Sequence, residues 1–193
     1  MIAAPVASKK LTWLALAYTG AYLFVSWLDL LSTDLALTRP VATEGNIYAT
    51  PNGVWDAGRA WAITLVGGVI ILGFLVLGAR RADAAAERWL ANPISSFRRL
   101  YLNPFAARNS DVAAIHCLAF AFGFVVLRLL AAINNVLIWQ TDTGPLGRAI
   151  GVLTGPFGKT GAFWLVMGPT FYLTAFACAP LAVRTIGWLR RES

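Results

Sequence analysis

Long runs of apolar residues alternate with short polar segments along this chain. Four runs, at residues 11–31, 60–79, 112–139 and 161–183, contain almost no charged side chains. A helix needs about 20 apolar residues to cross a hydrocarbon core of about 30 Å. The pattern therefore predicts an all-α integral membrane protein with four transmembrane helices. Little of the chain is left over, so we expect residues 1–193 to form a single four-helix domain.

The connecting segments have patterns of their own. Residues 32–58 are rich in Pro, Asn and Gly, which indicates a loop with several turns. In residues 94–102, apolar side chains recur at helical spacing beside Arg98 and Arg99. This pattern predicts a short amphipathic interfacial helix, with the two arginines against lipid headgroups. A plain basic connector fits the same residues equally well.

Glycine and proline interrupt the last part of the chain. Residues 140–160 contain two Gly-Pro pairs around an apolar stretch. The sequence leaves open whether this segment dips into the bilayer or lies on its surface. Gly168-Pro169 falls inside the fourth run and predicts a kink, because proline lacks a backbone N–H.

Composition agrees with a membrane protein and gives it an orientation. Hydrophobic residues make up 58% of the chain and charged residues 13%, whereas soluble domains carry about 25% charged residues. Eleven of the 16 Lys and Arg residues fall in the two termini and in the segment between the second and third runs. This asymmetry follows the positive-inside rule and predicts that both termini are cytoplasmic. We therefore expect an integral protein of the bacterial cytoplasmic (inner) membrane. The net charge of +7 comes from an excess of Lys and Arg residues, and we expect these residues to contact anionic lipid headgroups and not nucleic acid.

Two charged residues lie inside the apolar runs, Asp29 in the first and Arg128 in the third. At a rise of about 1.5 Å per residue, they lie roughly 27 and 24 Å from the cytoplasmic ends of their helices. Those two helices run in the same direction, so the charges should lie at similar depth. Intramembrane charges are expensive and seldom occur without a partner. The sequence predicts a buried Asp29–Arg128 ion pair.

Further polar residues follow the two charges along the chain. We expect them to line an acidic, amide-rich vestibule, and they are Asn134, Asn135, Thr33, Asp34, Glu44 and Asn46. Such a site would suit a cation, a proton or a small polar ligand. The alternative is a polar cluster that fixes helix packing, since interhelical polar contacts contribute about 0.6–2 kcal/mol each.

Residues for catalysis or metal binding are not apparent in the sequence. Hydrolytic Ser-His-Asp, zinc-binding and CxxC patterns are absent, so we expect no enzyme, no metal and no cofactor. His116 is the single histidine and could still serve as one axial ligand to haem or a pigment. A hydrogen bond to a quinone is a further alternative for it.

The function that these features favour is a non-catalytic accessory or assembly subunit of a larger membrane protein complex. Small size, eight tryptophans and the lack of catalytic motifs support that interpretation. Its partners would be other membrane protein subunits and membrane lipids. Two alternatives stay open: a small ion, proton or polar-solute transporter using Asp29, Arg128 and Asn135, and a pigment, haem or quinone binder using His116.

Overall fold

The computed structural model describes residues 8–39, 54–81 and 110–190. Four long helices account for nearly all of these residues, numbered here in chain order as α1 (Ser8–Ala36), α2 (Ala57–Arg80), α3 (Ser110–Thr141) and α4 (Pro145–Arg190). Each is long and apolar enough to cross a membrane. The prediction of a multi-pass membrane protein with four apolar helices is confirmed. The predicted interfacial helix at residues 94–102 lies outside the described residues.

Local capping explains where two of the helices begin or end. The carboxylate of Asp56 accepts a hydrogen bond from the backbone N–H of Arg59 at 3.0 Å, as an N-cap residue does at the start of a helix. At the end of α3, Asp142 adopts a φ of 55°. Its N–H donates to the carbonyl of Ile138, which closes the last turn.

The fourth helix differs from the sequence prediction. Helical structure begins at Pro145, so most of residues 140–160, which lie between the third and fourth apolar runs, is helix. Proline is favoured in the first turn because its missing N–H has no partner there in any case. The one non-helical residue inside α4 is Gly158, with φ 69° and ψ 166°, a conformation essentially restricted to glycine. The backbone is helical at Gly168 and Pro169, where the sequence predicts a kink. The non-helical conformation occurs at Gly158 instead.

The four helices form two compact units, and each helix contributes one part to each unit. The first unit comprises Met1–Gly20, Val69–Phe124 and Leu173–Ser193. The second unit comprises Ala21–Gly68 and Val125–Tyr172.

Small residues bring the helices of the first unit close together. A Cβ atom on Gly123 of α3 would lie 2.6 Å from the Cα of Ala175 in α4. A Cβ atom on Gly78 of α2 would lie 2.9 Å from the carbonyl oxygen of Ala114 in α3. Close backbone approach at small residues is a common way for membrane helices to associate. The core of this unit is therefore closely packed and largely apolar.

The second unit contains most of the buried polar side chains of the described residues. Seven of them, which come from α1, α2 and α3, are Ser26, Asp29, Ser32, Thr33, Thr64, Arg128 and Asn134. This concentration makes the second unit the place to look for a functional site.

Candidate functional site

The centre of the second unit is an ion pair between α1 and α3. Nη1 of Arg128 donates to Oδ2 of Asp29 at 2.9 Å. Asp29 is 7% exposed and Arg128 5% exposed. A charge-assisted hydrogen bond in such a buried position is stronger than the same bond in water. The structure thus brings together the two charges that the sequence paired.

Arg128 also reaches the second helix. Its Nη2 donates to Oγ1 of Thr64 at 2.9 Å, and its guanidinium lies 5.7 Å from the centre of the Tyr22 ring. The hydroxyl of Tyr22 donates in turn to the backbone carbonyl of Thr64 at 2.7 Å. Gly68 leaves room for that ring, because a Cβ atom there would lie 2.6 Å from Cε1 of Tyr22. One arginine therefore connects α1, α2 and α3.

On the other side of the pair, Asn135 of α3 contacts the next turn of α1. Its amide donates to Oγ1 of Thr33 at 2.9 Å, and the Thr33 hydroxyl donates to the carbonyl of Asp29 at 2.8 Å. The hydroxyl of Ser32 donates to the same carbonyl at 2.9 Å. These bonds extend the polar contact between α1 and α3 by one helical turn. We refer to Tyr22, Asp29, Thr33, Thr64, Arg128 and Asn135 as the polar cluster.

Asn134 has a different partner from Asn135. Its Oδ1 accepts a hydrogen bond from the backbone N–H of Leu146 at 3.0 Å, in the first turn of α4. Gly144, just before that turn, has no side chain that could cap it, and a Cβ atom there would overlap with Asn134. Asn134 therefore supplies the N-terminal cap of α4 from a neighbouring helix.

A further predicted site residue, Asp34, is not part of the polar cluster. Asp34 is exposed, and its carboxylate accepts a hydrogen bond from the indole of Trp55. Glu44, Asn46, Arg98 and Arg99 lie outside the described residues. Of the residues predicted to line the vestibule, the structure describes Thr33, Asp34, Asn134 and Asn135. The last two have different partners, because Asn134 bonds to α4 and Asn135 bonds to α1.

Three members of this region were missed by the sequence prediction. Thr64 and Tyr22 carry no charge and lie within apolar runs, where single hydroxyl groups give little signal. Ser26 is fully buried, and its hydroxyl has no hydrogen-bond partner among the described residues. Ser26 follows Tyr22 by four residues and precedes Asp29 by three, so the three share one face of α1. That spacing was the available signal.

His116 is not one of the residues of the polar cluster. It belongs to α3 within the first unit and is partly buried. No group of three or more His, Cys, Asp or Glu side chains suited to a metal ion occurs among the described residues. Its proposed role as a ligand for haem, pigment or quinone remains a prediction.

The geometry of the polar cluster suits the joining of helices. Opposite charges meet directly, the second guanidinium nitrogen donates to the Thr64 hydroxyl of α2, and the Tyr22 hydroxyl of α1 donates to the backbone of α2. Removing one partner of a buried ion pair typically costs about 3–5 kcal/mol, because the other charge is left uncompensated. The arrangement therefore holds α1, α2 and α3 in one register.

Comparison with known proteins finds no matching protein-family model, no similar curated protein and no similar solved structure.

Proposed function

We propose that this protein is a non-catalytic accessory or assembly subunit of a larger membrane protein complex. The observation that carries the proposal is the internal bonding of the polar cluster. Asp29, Arg128 and Asn135, which were the candidates for a solute site, bond to side chains of their own chain. Groups used in this way serve helix packing and are less available to a transported solute.

The exposed surface of the helices supports the same role. Large apolar side chains are exposed in both units, among them Trp13 at 69% and Val69 at 72% in the first and Val66 at 64% in the second. In a membrane such faces contact lipid tails or the helices of another subunit. A protein whose buried polar groups bond to its own helices and whose outer faces are apolar is suited to packing against larger membrane partners.

The proposed orientation places both termini and the segment between α2 and α3 in the cytoplasm of a bacterial cell. It rests on the distribution of Lys and Arg described above, which follows the positive-inside rule. Arg98 and Arg99, on the proposed interfacial helix, would contact anionic headgroups on that side. We expect the inner membrane to be the site of assembly.

Native mass spectrometry after gentle extraction from the protein's own membrane tests the accessory role. We expect a fixed stoichiometric ratio between this chain and one or more larger membrane subunits. A matched extraction of an unrelated four-helix membrane protein from the same cells controls for adventitious association. Recovery of this chain solely as a monomer or homo-oligomer would contradict the proposal.

A transporter for a small ion or polar solute is the second candidate, and Ser26 is the observation that favours it. A fully buried hydroxyl without a partner among the described residues costs about 1–3 kcal/mol unless a water or a ligand satisfies it. Ser26 shares a face of α1 with Asp29, so a bound solute would have two polar groups within one helical turn. The hydroxyl would then be a ligand and not a packing group.

Flux into proteoliposomes separates the two candidates. A transporter should raise the flux of protons or monovalent cations above that of protein-free vesicles, and Ser26→Ala should reduce it. Ser32→Ala is the matched control, because that hydroxyl bonds to a carbonyl of its own helix. Flux equal to that of empty vesicles would eliminate transport of these ions.

A further inference from the structure

The ends of α1 and α4 meet in the first unit at a contact made by Lys10. Its Nζ donates to the backbone carbonyl of Trp188 at 3.1 Å, and it lies 5.7 Å from the centre of the Trp188 ring. Carbonyls in the last turn of a helix lack partners within the helix and carry partial negative charge. Lys10 therefore neutralises the end of α4 and fixes it beside the beginning of α1.

Two further cations lie next to this contact and are exposed. Lys9 precedes Lys10 in the chain, and Arg184 precedes Trp188 by about one helical turn. Neither Lys9 nor Arg184 makes an ion pair or a hydrogen bond to any of the described residues. Both side chains are exposed, so their positive charges can meet an external anion.

Exposed apolar side chains continue from each cation along its helix. On α1, Trp13 and Leu16 follow Lys9 and are 69% and 60% exposed. On α4, Leu181 lies three residues before Arg184 and is 51% exposed. Residues at spacings of three and four share one face of a helix. Each face thus has a positive end and an apolar body.

From this combination we infer that the surface formed by Lys9, Trp13, Arg184 and Leu181 binds an anionic phospholipid. The phosphate would lie between Lys9 and Arg184, and the acyl chains would follow the exposed apolar side chains of α1 and α4. Tryptophan is favoured at the level of the headgroups, where its ring contacts both environments. The inference is independent of the proposed accessory role, since it concerns lipid and not a protein partner.

Lipid binding can be measured by native mass spectrometry of the purified protein in a neutral detergent. The probes are phosphatidylglycerol and phosphatidylcholine with identical acyl chains, added at equal concentration. We expect preferential retention of phosphatidylglycerol. Each cation near a headgroup contributes about 1 kcal/mol, so the double variant Lys9→Gln/Arg184→Gln should weaken this binding by about fivefold per removed charge.

The control is a second double variant, Arg148→Gln/Lys159→Gln, which removes two exposed cations from the second unit. It should retain phosphatidylglycerol at the wild-type level. Equal loss in both double variants would overturn the inference, because it would reflect net charge and not a site. Equal retention of the two lipids by the wild-type protein would also overturn it, whether or not the variants fold.

A competition with inorganic phosphate distinguishes a lipid site from a simple anion site. We expect excess inorganic phosphate, at constant ionic strength, to leave the bound phosphatidylglycerol in place, since the acyl chains hold it to the apolar faces. Complete displacement by phosphate would show that the acyl chains contribute nothing, and the inference of a phospholipid site would be wrong.

Discussion

Arg128 is the residue whose surroundings explain most of the second unit. Its two terminal nitrogens donate to Asp29 on α1 and to Thr64 on α2, while its own backbone belongs to α3. A guanidinium suits this position because it is planar, presents several donors in fixed directions and does not lose its proton. An amine on a lysine would carry the charge but would not match two acceptors in one plane.

Neutralising Arg128 should destabilise the protein more than neutralising the whole pair. Arg128→Met keeps an apolar volume but leaves Asp29 buried without a counter-charge, so we expect a loss of about 3–5 kcal/mol. Adding Asp29→Leu should restore much of that loss, since two apolar side chains replace the ion pair. Denaturant unfolding in detergent micelles measures both effects. Simple additivity of the two single changes would contradict a direct interaction.

Thr64→Val tests the contact of Arg128 with α2. The change preserves the shape of the side chain and removes the acceptor for Nη2, so we expect a loss of about 0.6–2 kcal/mol in unfolding free energy. Thr170→Val is the control, because the Thr170 hydroxyl donates to Val166 of its own helix at 2.7 Å. An equal effect of the two substitutions would mean that the Arg128 contact adds no stability.

Among the elements, α4 departs most from what its residues predict. Gly-Pro pairs flank its apolar stretch at residues 146–153, and the sequence leaves open whether this segment dips into the bilayer or lies on its surface. Pro145 instead occupies the first helical position, and Asn134 of α3 caps the turn that follows. The partner of that cap is a residue of another helix, so the sequence near residue 145 contains no signal for it.

Gly158→Ala should destabilise the protein, because a Cβ atom strains the backbone at φ 69° and ψ 166°. We expect a loss of about 1–3 kcal/mol. Gly151→Ala is the matched control: Gly151 is helical, no heavy atom lies within 4 Å of its Cβ position, and alanine there should stabilise by about 0.5–1 kcal/mol. Thermal unfolding in detergent distinguishes the two. A stabilising effect at both positions would contradict a non-helical backbone at residue 158.

At the scale of the whole molecule, the helices that the structure describes have apolar outer faces and bury polar side chains between them. Polar groups such as Asp29 and Thr64 face inward, whereas tryptophan, leucine and valine side chains face outward. This is the arrangement expected where the surrounding solvent is hydrocarbon and unpaired polar groups are costly. Exposure of these apolar surfaces is therefore consistent with a membrane setting.

The proposed orientation predicts which cysteine substitutions a membrane-impermeant maleimide will label. Cys117 and Cys178 are first replaced by alanine, so that the introduced cysteine is the only thiol that the maleimide can label. In intact spheroplasts, Arg148→Cys should react, and Lys9→Cys should react only after permeabilisation, because the positive-inside rule places Lys9 in the cytoplasm. The reverse labelling pattern would show that the topology is the opposite of the proposed one. It would not affect the assignment of the four helices.

The sequence by itself determined the four apolar helices and the pairing of Asp29 with Arg128. Both depend on properties that are local or nearly so: the length of an apolar run, and the cost of a single charge within it. Only the tertiary structure decided that Thr64 and Tyr22 join that pair, that Asn134 caps α4, and that the non-helical backbone of α4 occurs at Gly158. These features depend on which faces of separate helices meet, and uncharged hydroxyl and amide groups leave too weak a pattern along the chain to reveal it.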